Sequence, residues 1–227
     1  MEPFSDLNAI LKDGSCLQYD WQYQGLQNVT ISTHQIGKLV LTSGRIIACD
    51  PLIGPDTRYH FKKTIEPGRY PLIVSVADFQ PIGDTRFACA MLRISDEPTA
   101  HWEVAAINEP ALAQTNDRTA CGVDAGTASF MDCEAALILE RLFPNEVLFE
   151  GFCDRITAEM EKNSFRKHSV TTGWADMQVS EATEANMIAF SSGWGDGGYA
   201  SFWGYDARGT LTSLVTDFAL FPGNDAA

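Results

Sequence analysis

Two β-rich apolar runs, Tyr199 to Tyr205 and Thr210 to Phe218, flank the short polar link Asp206-Ala207-Arg208-Gly209. A link this short, ending on a glycine free to take positive φ, joins neighbouring strands in antiparallel pairing. A parallel neighbour would need a crossover of about a dozen residues. This hairpin constrains the chain more than any other feature.

The same pattern recurs upstream. Gly37–Leu41 meets Arg45–Cys49 across Thr42-Ser43-Gly44 and reads as a second hairpin, stopped by Asp50-Pro51 because proline cannot donate to a ladder. Val29–Ser32 is a short β-rich run, Pro71–Asp78 follows a turn at Glu66–Tyr70, and Thr85–Ile94 and Met187–Ser192 add strands. His101–Ile107 alternates less cleanly. Ile53–Phe61 is a loop, Asn108–Arg118 a polar loop or short helix, and Asn163–Glu184 a polar stretch. Three helices are expected. Ser5 caps one running to Lys12, Asp132 caps one running to about Phe143, and Glu150–Lys162 turns Phe152, Ile156 and Met160 to one side. Strands come in antiparallel hairpin pairs and do not alternate with helices, which argues against a doubly wound fold. The expectation is a β-rich α+β protein. Its strands are mainly antiparallel, in hairpins that form a sandwich-like or curved sheet with two or three helices packed on it. Residues 1–227 form a single domain in this reading.

The chain has 227 residues and a formal charge of −14. That charge argues against nucleic acid and against an anionic membrane surface, both of which need lysine and arginine. A basic protein, a cation or a neutral small molecule suits it better. No stretch approaches the ~18 apolar residues of a membrane helix. The start, Met1-Glu2-Pro3-Phe4-Ser5-Asp6, lacks the basic residues and apolar run of a secretory signal. Six cysteines without a CxxC pair read as reduced thiols, and the expected compartment is the cytoplasm.

Chemistry concentrates in acids set among glycine and proline. Asp50 lies in SGRIIACDP, Asp124 in GVDAG, Asp132 shortly after, and Asp196 in GWGDGGY. An aspartate at such a turn can coordinate a hard cation, orient a water, or accept hydrogen bonds from nearby backbone N–H groups. If the carboxylates converged, a cation would be needed to keep them all charged. Asp50, Asp124 and Asp196 are the candidate metal ligands, for Mg²⁺ or Ca²⁺. Trp194 and Tyr199 flank Asp196, and aromatic faces beside an acid suit a cationic or ring-bearing ligand. His34, His60, His101 and His168 share no metal-ligand spacing. No nucleophile elbow, phosphate loop or dinucleotide fingerprint is present.

These motifs resemble a bacterial family catalogued only as domain of unknown function 4241. The resemblance rests on SGRIIACDP at 43–51, PGRYP at 67–71, GVDAGTASFMD at 122–132 and GWGDGGYASFWGYDARG at 193–209, and spans roughly residues 35–218. It implies no reaction and transfers no catalytic residue. It does direct attention to Asp50, Asp124, Asp132 and Asp196 as a shared site, and small proteins of this sort often look like partners in toxin–immunity systems.

Three functions remain in play. The first is a non-catalytic acidic interaction protein without a cofactor, such as an immunity protein that neutralises a basic interbacterial toxin. The second is a metal-assisted hydrolase built on Asp50, Asp124, Asp132 and Asp196. The third is a small-ligand binding module using Trp194, Asp196 and Tyr199.

Overall fold

The computed structural model describes residues 3–21, 25–108, 120–165 and 171–221. The expected polar loop at Asn108–Arg118 lies, apart from Asn108, outside the described residues, as does His168. In chain order the strands are β1 (Cys16–Trp21), β2 (Gly25–Leu41), β3 (Ile46–Cys49), β4 (Gly68–Phe79), β5 (Asp84–Arg93), β6 (His101–Val104), β7 (Ala120–Val123), β8 (Thr127–Asp132), β9 (Trp174–Gln178), β10 (Asn186–Ser191), β11 (Gly197–Tyr205) and β12 (Leu211–Asp217). The helices are α1 (Leu7–Ile10), α2 (Cys133–Glu140) and α3 (Glu146–Lys162).

The strands form two antiparallel sheets, as the hairpin pattern predicts. The larger runs β1-β2-β4-β5-β12-β11-β6, with β7 also paired to β11, and the smaller runs β3-β8-β10-β9. Apolar residues alternate across both sheets, so each sheet buries two faces. Leu39, Leu72, Val74, Phe87, Trp203 and Leu214 of the large sheet meet Ile46, Phe130, Ile188 and Phe190 of the small one. The other face of the small sheet, Ile47, Met131, Met187 and Ala189, packs on Ala135, Leu139, Phe152, Ile156 and Met160 of α2 and α3. The outer face of the large sheet buries Val29, Ile31, Phe79, Phe202 and Val215 beneath α1 and Leu220 and Phe221.

Some elements differ from the sequence expectation. The hairpin at 206–209 forms as read, with Gly209 at φ +80°, and its turn is closed by Asp206, whose carboxylate accepts from the N–H groups of Arg208 and Thr210 at 2.8 Å. Gly37–Leu41 and Arg45–Cys49 do not pair. β2 bonds to β1 and β4, β3 bonds to β8, and residues 42–45 carry the chain from one sheet to the other. Gly44 sits there at φ +72°, and a Cβ on it would lie 1.9 Å from the carbonyl oxygen of Ile65. The short run at 29–32 is the middle of a strand that extends from Gly25 to Leu41. The polar stretch after α3 contains β9, an edge strand whose Ala175 and Met177 point inward. Asp6, not Ser5, caps the first helix, because the N–H and hydroxyl of Ser5 both donate to the buried carboxylate of Asp217 at 2.8 Å. α3 begins at Glu146, capped by Asn145.

Candidate functional site

The site grows from the points at which the chain changes sheet. β3 ends at Cys49, Pro51 blocks its continuation, and the intervening Asp50 turns inward and is buried. Its Oδ1 accepts from the N–H of Leu52 at 2.9 Å. Its Oδ2 accepts from the N–H groups of Asp124 and Ala125 at 3.0 and 2.7 Å. Those two residues start the tight turn that takes the chain from β7 in the large sheet to β8 in the small one. Asp196 lies in the turn from β10 back to β11 and grips the same segment, its Oδ1 accepting from the N–H of Gly126 at 2.9 Å. Asp50, Asp124 and Asp196 therefore gather around one turn, although they are far apart in sequence.

Asp132 is not among them. It stands at the start of α2, opposite Ile46 at the far end of β3, about 13 Å from Asp50 at roughly 3.3 Å per strand residue. Its buried carboxylate takes five hydrogen bonds, from the N–H groups of Ser43, Gly44 and Glu134 and the hydroxyls of Thr42 and Ser43, at 2.8 to 3.2 Å. It caps α2 as expected and also ties down the 42–45 crossing.

This arrangement bears directly on metal binding. The oxygens of Asp50 and Asp132 are aimed at backbone N–H groups, which compete with a cation for the same lone pairs. Among the described residues, no three His, Cys, Asp or Glu side chains gather closely enough to hold a metal ion. Asp124 differs from the other acids at the turn. It is exposed, and its carboxylate accepts no hydrogen bond from the described residues.

Trp194 and Tyr199 separate to opposite faces of the large sheet. Trp194, 40% exposed, joins Tyr19, Trp21 and Phe79 on the outer side with the Arg86 guanidinium 5.0 Å from its ring centroid. Tyr199 points into the core between the sheets, edge-on to Phe218, and its hydroxyl donates to the carbonyl of Gly195 at 2.8 Å. Burial, and then the charge of Asp196, push its phenol above the usual range. The two rings do not bracket Asp196 as a ligand clamp.

A half-open cavity of about 280 Å³ lies against the 122–124 segment. Ile47, Ile53, Tyr59 and Ile107 supply apolar walls, and Asp50, Asp56 and Asp124 supply carboxylates. Cys49 and Cys121 also line it. Enclosure of the Cys49 sulfur pushes its thiol up to about 12, and the charge of Asp50 adds to the rise. Burial likewise lifts Cys89 to about 12 and Cys133 to about 11. These three thiols stay protonated at neutral pH, so none is an activated nucleophile. All six cysteines are free thiols. Sequence reasoning missed Ile53, Tyr59 and Ile107, since nothing in their local pattern distinguishes a cavity wall from ordinary core.

The chain belongs to the family described as "Protein of unknown function (DUF4241)", whose model matches residues 39–216. Comparison with curated proteins and with solved structures gives no match. The Asp50–Asp124–Asp196 turn, the Asp132 hub and the cavity all lie within the matched span.

Proposed function

We propose that the protein is a non-catalytic interaction protein that holds a basic partner protein against its α2–α3 layer. The supporting observation is the make-up of that layer's outer surface. Glu134, Glu146, Glu150, Asp154 and Glu161 are exposed there, and Val147 and Leu148 stand out to solvent at 77% and 55% of their area, with Leu137 also exposed. Arg141, Arg155 and Lys162 are exposed there too, but the acids outnumber them, and apolar side chains left in water on such a surface mark one that a complementary partner covers. The carboxylates steer a cationic partner by long-range attraction, and the apolar groups hold it once docked. At a net charge of −14, attraction of this kind gives fast, salt-sensitive association. A basic toxin held by an immunity protein in the cytoplasm is the partner class that best suits this reading, and the unpaired thiols fit a reducing compartment.

The test is calorimetric titration against basic toxins encoded beside this gene, at low and at physiological salt. The expected result is nanomolar binding that weakens as salt rises, and at least a tenfold loss in Leu148→Glu. Binding that ignores both salt and that substitution, or no binding by any such neighbour, would overturn the proposal.

A further inference from the structure

We propose that the cavity beside Asp124 is a binding site for a small organic cation, an ammonium group carried on a compact apolar body. This site is separate from the α2–α3 surface and stands independently of the partner proposed for it.

Size sets the class of ligand. A cavity of ~150 Å³ suffices for benzene, and this one holds about 280 Å³. A single ring with a short aminoalkyl arm fits. The walls made by Ile47, Ile53, Tyr59 and Ile107 suit the apolar body, which leaves water as it enters.

Charge sets the head group. Of the three carboxylates at the cavity, Asp56 is already matched, because Arg58 binds it through Nε at 2.9 Å and through its terminal nitrogen at 2.6 Å. That pairing holds the Asp56 carboxyl below its usual range. Asp50 is already engaged by three neutral amides, the N–H groups of Leu52, Asp124 and Ala125. Asp124 has its charge and its lone pairs unspent, and it sits where the cavity meets solvent. An ammonium at that point satisfies Asp124 directly and is attracted by Asp50 behind it. A carboxylate or phosphate ligand would be repelled by both acids, and a neutral ligand would gain no attraction from Asp124. The Tyr59 ring already carries the Arg58 guanidinium 5.7 Å from its centroid, so it serves the ligand as an apolar wall.

The experiment titrates three probes of one shape, 2-phenylethylammonium, 2-phenylethanol and phenylacetate, by calorimetry and by amide chemical-shift mapping. The ammonium is expected to bind at least tenfold tighter than the alcohol, with phenylacetate weakest, and shifts are expected at 47–59 and 121–125. Asp124→Asn is exposed and removes no hydrogen bond, so it should fold normally and bring the ammonium down to the level of the alcohol. Ile53→Trp, at the exposed rim, should block both probes. The inference fails if ammonium and alcohol bind alike, if the preference survives Asp124→Asn, if binding survives Ile53→Trp, or if no probe binds. None of these outcomes touches the partner surface, which is read separately through Leu148→Glu.

Discussion

The chain passes from the large sheet to the small one at 42–45 and again at 124–126, and both passages are pinned by aspartate side chains from elsewhere in the sequence. They differ in what is left over. At the first, Asp132 is buried and all its acceptor capacity is used, on Thr42, Ser43, Gly44 and the start of α2. At the second, Asp50 takes three backbone N–H groups, while Asp124 keeps an unspent carboxylate beside a cavity. The comparison separates two uses of one residue type. A carboxylate whose lone pairs are engaged by donors of the fold itself is structural, and one left with free lone pairs at a recess is available to a ligand.

The largest effect should come from Asp132→Ala. It strands two crossing N–H groups and the helix cap at a largely buried position, at a cost of about 3–5 kcal/mol. In a chain of this length that lowers the melting temperature by about 10 °C or more. A loss no greater than that of an ordinary surface substitution would break the contrast. Asp50→Asn should cost less, about 1–2 kcal/mol, because the amide oxygen still accepts the Asp124 and Ala125 N–H groups while the amide nitrogen opposes that of Leu52. Thermal melting would detect this as a shift of about 3–6 °C. If Asp50→Asn proved the more damaging, the 124–126 passage would be the main staple of the fold.

The smallest effect concerns a third buried acid and is best read as a pH dependence. Burial raises the Asp217 carboxyl above its usual range, against the opposing effect of its Ser5 and Ala219 hydrogen bonds. Its folded value thus exceeds its unfolded value, so the native state binds the proton first as pH falls. This group contributes more to stability below its folded value and less above it. The stability of the wild type relative to Asp217→Asn should therefore improve as pH drops from 7 towards 4. A relative stability that stays flat or worsens over that range would show that the hydrogen bonds outweigh burial.

Local pattern revealed much of the fold but not how strands choose partners. The 206–209 hairpin was legible because everything that makes it lies within a few residues: two flanking strands, Asp206 to accept the turn N–H groups, and Gly209 for the left-handed position. The 42–44 link carries the same local signal yet crosses between sheets, because its geometry is imposed by Asp132, some 90 residues away. β9 was hidden because only Ala175 and Met177 of its five residues are fully buried, with Trp174 partly so, too few for alternation to stand out in a polar stretch. At the site, glycine and proline around Asp50, Asp124 and Asp196 signalled turns that need acceptors. That these three share one turn, and that Asp132 does not, depended on sheet pairing that no local window contains.

The position of β12 has a consequence for how the molecule is made. It is the last strand among the described residues, yet it lies inside the large sheet between β5 and β11, with Ser213 opposite Arg93 about 120 residues earlier. As the polypeptide leaves the ribosome, β5 has one neighbour and an open edge until β12 has been made. The large sheet closes only after that point, so folding is governed by a late, long-range pairing event, slow by the measure of its loop closure. A product cut short before Leu211 would present that open edge to other chains and would be a candidate for aggregation.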